Sequence, residues 1–167
     1  MILSIRYGLF AGGATVLYFV FFYFLNKNLL VQPAVVWATM IFYVVAMLAA
    51  ARSVASSDFR VTLKAAFVTF LVANVVYYNF YYVLFAVADP SLLVLQKNQA
   101  VEQAQQLSQQ ANTPQLQQQW QAAINDLEQN GNKLSYFQIL QSMAQGAIGG
   151  FLLSALLTFL VRLKRND

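Results

Sequence analysis

The sequence has no histidine and no cysteine, and its 167 residues include only ten basic and six acidic side chains. Lacking histidine, it has no side chain that titrates near neutrality to act as the usual general base. Lacking cysteine, it has no thiol nucleophile, no disulfide and few of the ordinary zinc or haem ligands. Charge is scarce as well: 10% of residues are charged, where a soluble domain carries about 25%. A water-soluble globule is therefore not expected.

What the chain has in abundance is apolar sequence, with 59% hydrophobic residues and a mean hydropathy of +0.54. Four uncharged runs stand out, Tyr7–Leu25, Ala34–Ala51, Ala65–Ala88 and Gln138–Val161. Runs of roughly 18 to 24 residues rising about 1.5 Å each cross a hydrocarbon layer about 30 Å thick. The expected fold is all-α, an integral membrane four-helix bundle. Arg6 followed by Ala11, Gly12 and Gly13 resembles a signal peptide, but apolar sequence continues to Leu25, so a retained span is expected.

Lys and Arg are unevenly shared between the two sides that four spans define. Arg6, Arg52, Arg60, Lys64, Arg162, Lys164 and Arg165 fall on one side, and Lys27, Lys97 and Lys133 on the other. That bias predicts a multi-pass protein with both termini cytoplasmic. The division is then residues 1–88 for spans one to three, 89–137 for an extracytoplasmic segment, and 138–167 for the fourth span with a basic tail.

Residues 89–137 carry twelve glutamines between Gln96 and Gln121, a composition that low-complexity linkers share. Helix signals argue for order instead. Asp89 and Thr113 suit N-caps, each followed by a proline that fits the first turn, and Gly131 suits a C-terminal cap. Leu93, Lys97, Ala100, Ala104, Leu107 and Ala111 recur at steps of four and three, as do Leu116, Trp120, Ala123 and Leu127. A helical hairpin of Pro90–Ala111 and Pro114–Gln129 is expected, with Leu107, Leu116, Trp120 and Leu127 as its contact residues. Few large side chains are available to bury, so the hairpin should need a further surface: the membrane interface, a second copy or a partner.

The chemistry is sparse. The carboxylates Asp58, Asp89, Glu102, Asp126, Glu128 and Asp167 all lie outside the apolar runs. Asp126 and Glu128, two apart, point in different directions on a helix. No catalytic residue, cofactor or metal is expected, and no ionisable group sits at membrane depth to couple ion transport. Uncharged polar residues do occur there. Asn74, Asn79, Gln141 and Gln145 form an expected polar belt that either bonds across helices or lines a pocket opening outward. Ser142, Gly146, Gly150 and Ser154 at steps of four, and Gly8 and Gly12, form small-residue ridges suited to close helix packing, within one chain or in a homodimer.

The stretches SSDFRVTLKAAF from Ser56 to Phe67 and FYYVLFAVADPSLL from Phe80 to Leu93 resemble the small bacterial membrane family known as domain of unknown function 4199. So does the order of features: two spans, a basic loop, an aromatic third span ending in Asp-Pro, a long helical segment and a final span. The resemblance implies a protein of the inner membrane of Bacteroidota with no catalytic residues to carry over. Association of such genes with family 2 glycosyltransferases implies a helper in envelope glycan or lipid work. The expected role is a non-enzymatic accessory or scaffold subunit, whose partners are membrane lipids, an envelope glycosyltransferase or other membrane protein, or a second copy, and not nucleic acid. The alternative is a small transporter or channel with an uncharged polar pocket.

Overall fold

The structure, a computed structural model, describes residues 2–54, 58–131 and 133–166. Ser56, Ser57 and Asp167 lie outside the described residues, as do the side chains of Lys164 and Arg165. The elements in order are α1 (Ile2–Leu25), α2 (Lys27–Leu30), α3 (Pro33–Ala38), α4 (Met40–Ser53) and α5 (Phe59–Tyr82), which runs on as a π-helical segment Val83–Ala88. They are followed by α6 (Ser91–Gln110), α7 (Pro114–Asn130) and α8 (Tyr136–Asn166). Four stretches are long and apolar enough to cross a membrane: Ile2–Leu25, Pro33–Ser53, Phe59–Ala88 and Tyr136–Leu163. The chain is an all-α integral membrane bundle. The α6 and α7 helices pack against each other beside it.

Each span is longer than its apolar run. The first starts at Ile2 and so includes Arg6, whose exposed side chain can reach past the helix end to the interface. The second is broken. Pro33 opens α3, and at Thr39 the backbone pairing tightens, Phe42 N–H donating to Thr39 O at 3.0 Å while the Thr39 hydroxyl donates to Val36 O at 2.7 Å. A threonine hydroxyl bonded back along its own helix commonly bends it.

Packing centres on α5, which lies against α1, α4 and α8, while α1 and α8 make no extensive contact with each other. Small residues permit this. A side chain begun at Gly8 would meet Thr69 O and Val72 Cβ at 2.7 Å, and one at Gly12 would meet Val76 Cβ at 2.7 Å. On the other flank, a side chain at Gly150 would collide with the Phe70 ring. Ser154 is fully buried and returns its hydroxyl to Gly150 O at 2.6 Å. Both ridges thus meet α5, and dispersion at short range holds what hydrophobicity cannot hold in lipid. The Thr69 hydroxyl lies 3.1 Å from Ser4 O and the Tyr43 hydroxyl donates to Ala73 O at 3.3 Å.

Two cores result. The one toward the end bearing Arg52, Arg60 and Arg162 contains Met47, Ala51, Ala66, Phe70 and Leu157. The one toward α6 contains Phe19, Leu30, Leu84, Phe85, Leu92 and Leu93. Leu92 and Leu93 belong to the first turn of α6, so that helix is tied to the bundle by its base.

The α6–α7 pair differs from expectation in its register. Its bounds fall within a residue of those read from the sequence, and Thr113 Oγ1 accepts Leu116 N–H at 3.3 Å as an N-cap. The buried seam, however, is Ala104, Ser108 and Ile124. Leu107 and Leu116 are exposed, and Trp120 and Leu127 are half-buried at its flanks. The reason is periodicity. Ala104 and Ser108 are one step of four apart, and Leu107 points about 80° away round the helix from the direction they share, at 3.6 residues per turn.

Candidate functional site

At the α6 end the bundle is incompletely filled. Past the break at Thr39, α4 and α8 meet far less closely than either meets α5. A cleft of about 450 Å³ remains between them, walled by Tyr43, Phe70, Asn74, Tyr77 and Tyr78, by Trp37 and Thr39, and by Gly146, Gly149 and Gly150. A smaller chamber of about 250 Å³ lies toward α6, bordered by Leu30, Phe85, Gln96, Leu134 and Ser142. Val36, Tyr77 and Tyr78 border both spaces.

The cleft is made by what its walls lack. Gly149 is exposed, and a side chain begun there would have nothing within 4 Å. A side chain begun at Gly146 would first meet the Asn74 amide at 3.4 to 3.5 Å and the Tyr78 hydroxyl at 3.8 Å, ordinary contact distances. The α5 wall is aromatic because Tyr77, Tyr81 and Phe85, four residues apart, share one helix face. Tyr81 stacks on Phe85 at 4.2 Å, Tyr77 tilts against Phe19 at 5.5 Å, and the Tyr81 hydroxyl donates to Gln96 Oε1 at 2.6 Å.

Of the expected polar belt, Asn74 alone enters this wall. It is 6% exposed and its Nδ2 donates to Met143 O at 3.3 Å, joining α5 to α8. Asn79 is exposed; it donates to Val75 O at 2.8 Å and accepts from Tyr136 at 3.3 Å. Gln141 and Gln145 are exposed and not directed into the bundle, which corrects the expectation for them. The inward face of α8 at that level is occupied by Ser142, Gly146 and Gly150. The two glutamines precede Ser142 and Gly146 by one residue each, which turns them about 100° away.

A second polar group lies where the spans give way to α6. Asp89 Oδ2 accepts from the Lys27 ammonium and from the Tyr23 hydroxyl at 3.1 Å, and Lys27 also sits 5.0 Å over the Tyr23 ring. Asp89 Oδ1 accepts Ser91 N–H at 3.2 Å, the expected capping role. Lys27 and Ser91 hold the Asp89 carboxyl down at about 2, and the bond to Asp89 raises Lys27. Gln99 Nε2 adds a bond to Asn28 O at 3.3 Å. Sequence reading assigned Asp89 a cap and missed its partner 62 residues away; no local pattern signals that pairing.

Among the described residues no three acidic side chains converge as a metal site would require. The cleft offers amide and phenol groups amid apolar walls, which suits binding of an uncharged or amphipathic group.

No curated protein and no solved structure matches the chain. The protein family of unknown function DUF4199 matches over residues 6–162, a stretch that takes in nearly all of the four spans, the cleft and the α6–α7 pair, and the chain therefore belongs to that family.

Proposed function

We propose that this is a non-enzymatic subunit of the bacterial inner membrane, both termini cytoplasmic, that acts by association as an accessory or scaffold in envelope biogenesis. The observation that carries this reading is the α6–α7 pair. Its seam rests on Ala104, Ser108 and Ile124, α7 packs on α6 alone among the major contacts, and the outward faces are rich in exposed glutamine. A folded arm with so thin a core gains from a second surface. Amides that donate and accept equally suit a protein partner, such as an envelope glycosyltransferase or another membrane protein.

The test places a photo-crosslinking amino acid at Gln118, exposed on α7, in cells. A discrete adduct with one other membrane protein, persisting through purification in mild detergent, supports the scaffold; adducts with lipid alone reject it. Orientation is tested with cysteine at Gln106, exposed on α6, and at Ser53, exposed at the end of α4. An impermeant thiol reagent acting outside an intact inner membrane should label the first and spare the second.

A second reading, a small transporter or channel, draws on the uncharged polar groups of the cleft. The core of Met47, Ala51, Ala66 and Leu157 fills the bundle beyond it, so a path would have to run between copies. Solute flux in proteoliposomes, with a homo-oligomer in detergent, would favour that reading over the first.

A further inference from the structure

We propose that a cavity at the basic end of the bundle, between α1 and α5, binds one anionic phospholipid. Arg60 and Lys64 hold its phosphate, and an acyl chain starts along Val61, Ala65 and Val68. The site requires only that this end meets a membrane surface, so it is independent of the scaffold reading.

The cavity holds about 410 Å³ and is lined by Ser4 of α1 and by Arg60, Val61, Lys64, Ala65 and Val68 of α5. Arg60 and Lys64 are four residues apart and share a helix face. Val61, Ala65 and Val68, at steps of four and three, form an apolar stripe beside it that runs about 10 Å inward at 1.5 Å per residue. Side chains on a helix lean toward its N-terminus, here the membrane surface, so the long cationic stems are carried outward and the stripe is left to the hydrocarbon. Val61 is 44% exposed, which opens the stripe on its lipid side. A charged mouth continuous with an apolar wall matches an amphiphile and not a soluble anion.

The depth of the cations agrees. The third span has 30 residues, about 45 Å of helix against a hydrocarbon layer of about 30 Å. Shared between the two ends, the surplus places Arg60 and Lys64, the second and sixth residues of the span, at the level of lipid phosphates.

The polar groups here are also unsatisfied by the chain itself. Neither cation has an ion-pair partner among the described residues. Asp58, the neighbouring acid, accepts Arg60 N–H at 2.9 Å as a helix cap. Ser4 is 5% exposed, yet its hydroxyl has no hydrogen-bond partner among the described residues. The buried hydroxyls of Thr15, Thr69 and Ser154 each bond the carbonyl four residues back. A buried hydroxyl donor beside a guanidinium and an ammonium suits the oxygens of one phosphate. Two such cations select a lipid of net negative charge, because a choline headgroup would bring a third positive charge to the same mouth.

The experiment titrates the full chain, purified in mild detergent at about 0.15 M salt, with phosphatidylglycerol or phosphatidylcholine, and counts bound lipid by native mass spectrometry. One phosphatidylglycerol per chain should bind saturably, phosphatidylcholine roughly tenfold more weakly, and excess inorganic phosphate should not displace the lipid. Arg60→Gln with Lys64→Gln should weaken phosphatidylglycerol binding by roughly thirtyfold, two contributions of about fivefold each. Arg6→Gln with Arg52→Gln removes the same charge from the same end but off the cavity, and should weaken it by no more than about threefold, screened by salt. Ser4→Ala should cost about fivefold. Unfolding midpoints in lipid-free detergent establish that each variant keeps the fold. Equal losses from the two double variants would mean a collective attraction of the basic end and overturn the site. Equal binding of the two lipids overturns the choice of an anionic ligand, displacement by inorganic phosphate overturns the lipid, and unchanged affinity in Ser4→Ala overturns the role of that hydroxyl.

Discussion

The spans and the α6–α7 pair are built from similar lengths of helix but are held by different physics. In the spans, close approach decides: Gly8, Gly12 and Gly150 let backbones and rings meet at distances that admit no further atom. In the pair the seam is one isoleucine between small residues, and one end is tied down through Leu92, Leu93 and the Asp89–Lys27 bridge. The first arrangement tolerates no added volume, and the second loses most when volume is removed. Trp37 lies in the bundle and Trp120 in α7, so single-tryptophan variants report on each region separately.

The sharpest break should come from Gly150→Leu. The new side chain starts 2.1 to 2.6 Å from carbons of the Phe70 ring, and overpacking that cannot relax exceeds the usual 1–3 kcal/mol or so; the Trp37 signal should show loss of the folded bundle in detergent. Gly149→Leu, one residue away, should leave that signal unchanged. If both variants behave alike, the helix-to-helix distance is not what holds the spans.

Next in size is Leu92→Ala, which removes a fully buried side chain at the base of α6 and should cost about 2–3 kcal/mol, in the lower part of the range for buried leucines. Hydrogen exchange should rise through α6 while α1 and α8 stay protected. Within the pair, Ile124→Ala should cost about 2 kcal/mol and shift the Trp120 signal, whereas Leu107→Ala, on the exposed face, should stay within about 0.5 kcal/mol. The reverse order would restore the register read from the sequence.

The smallest effect belongs to Asp89→Asn and appears as a pH profile. The folded carboxyl is held at about 2, below its ordinary 3.8. Its contribution is therefore complete above the ordinary value and is lost as pH falls from about 4 through about 2. Lys27 is raised above 10.5, so its contribution is complete below that value and lost as pH rises through the raised one. The difference in stability between the native chain and Asp89→Asn should be constant in between, shrink as the carboxyl protonates at low pH, and lose only the Lys27 share at high pH, where Ser91 and Tyr23 still bond the carboxylate.

The four spans were legible because hydrophobic length is a one-dimensional property, and the small-residue ridges because a step of four is a face of a helix. The break at Thr39 was not, since Ala34–Ala51 reads as unbroken apolar sequence and the interruption coincides with one hydroxyl bonding Val36 O. Nor was the cleft. Asn74, Gln141 and Gln145 all look like belt residues, but the rotation of α8 that seats Gly150 on Phe70 turns the two glutamines away, while Asn74 lies on the buried face of α5 with Phe70 and Ala73. The seam of the pair was misplaced for the same kind of reason: in a stripe of alanines and glutamines several registers bury similar area, and Ile124 settles which is used.

The π-helical segment at the end of α5 has a consequence for how the molecule varies. There the Asp89 N–H reaches back five residues to Leu84 O at 2.8 Å, so this turn holds one more residue than an α-helix would. A deletion of one residue between Val83 and Ala88 would let the turn close as ordinary helix and change the direction in which α6 leaves the end of the third span. The direction in which the glutamine-covered helices leave the membrane is thus set by a count, and sequences sharing the same bundle could aim that arm at different neighbours by gaining or losing a single codon.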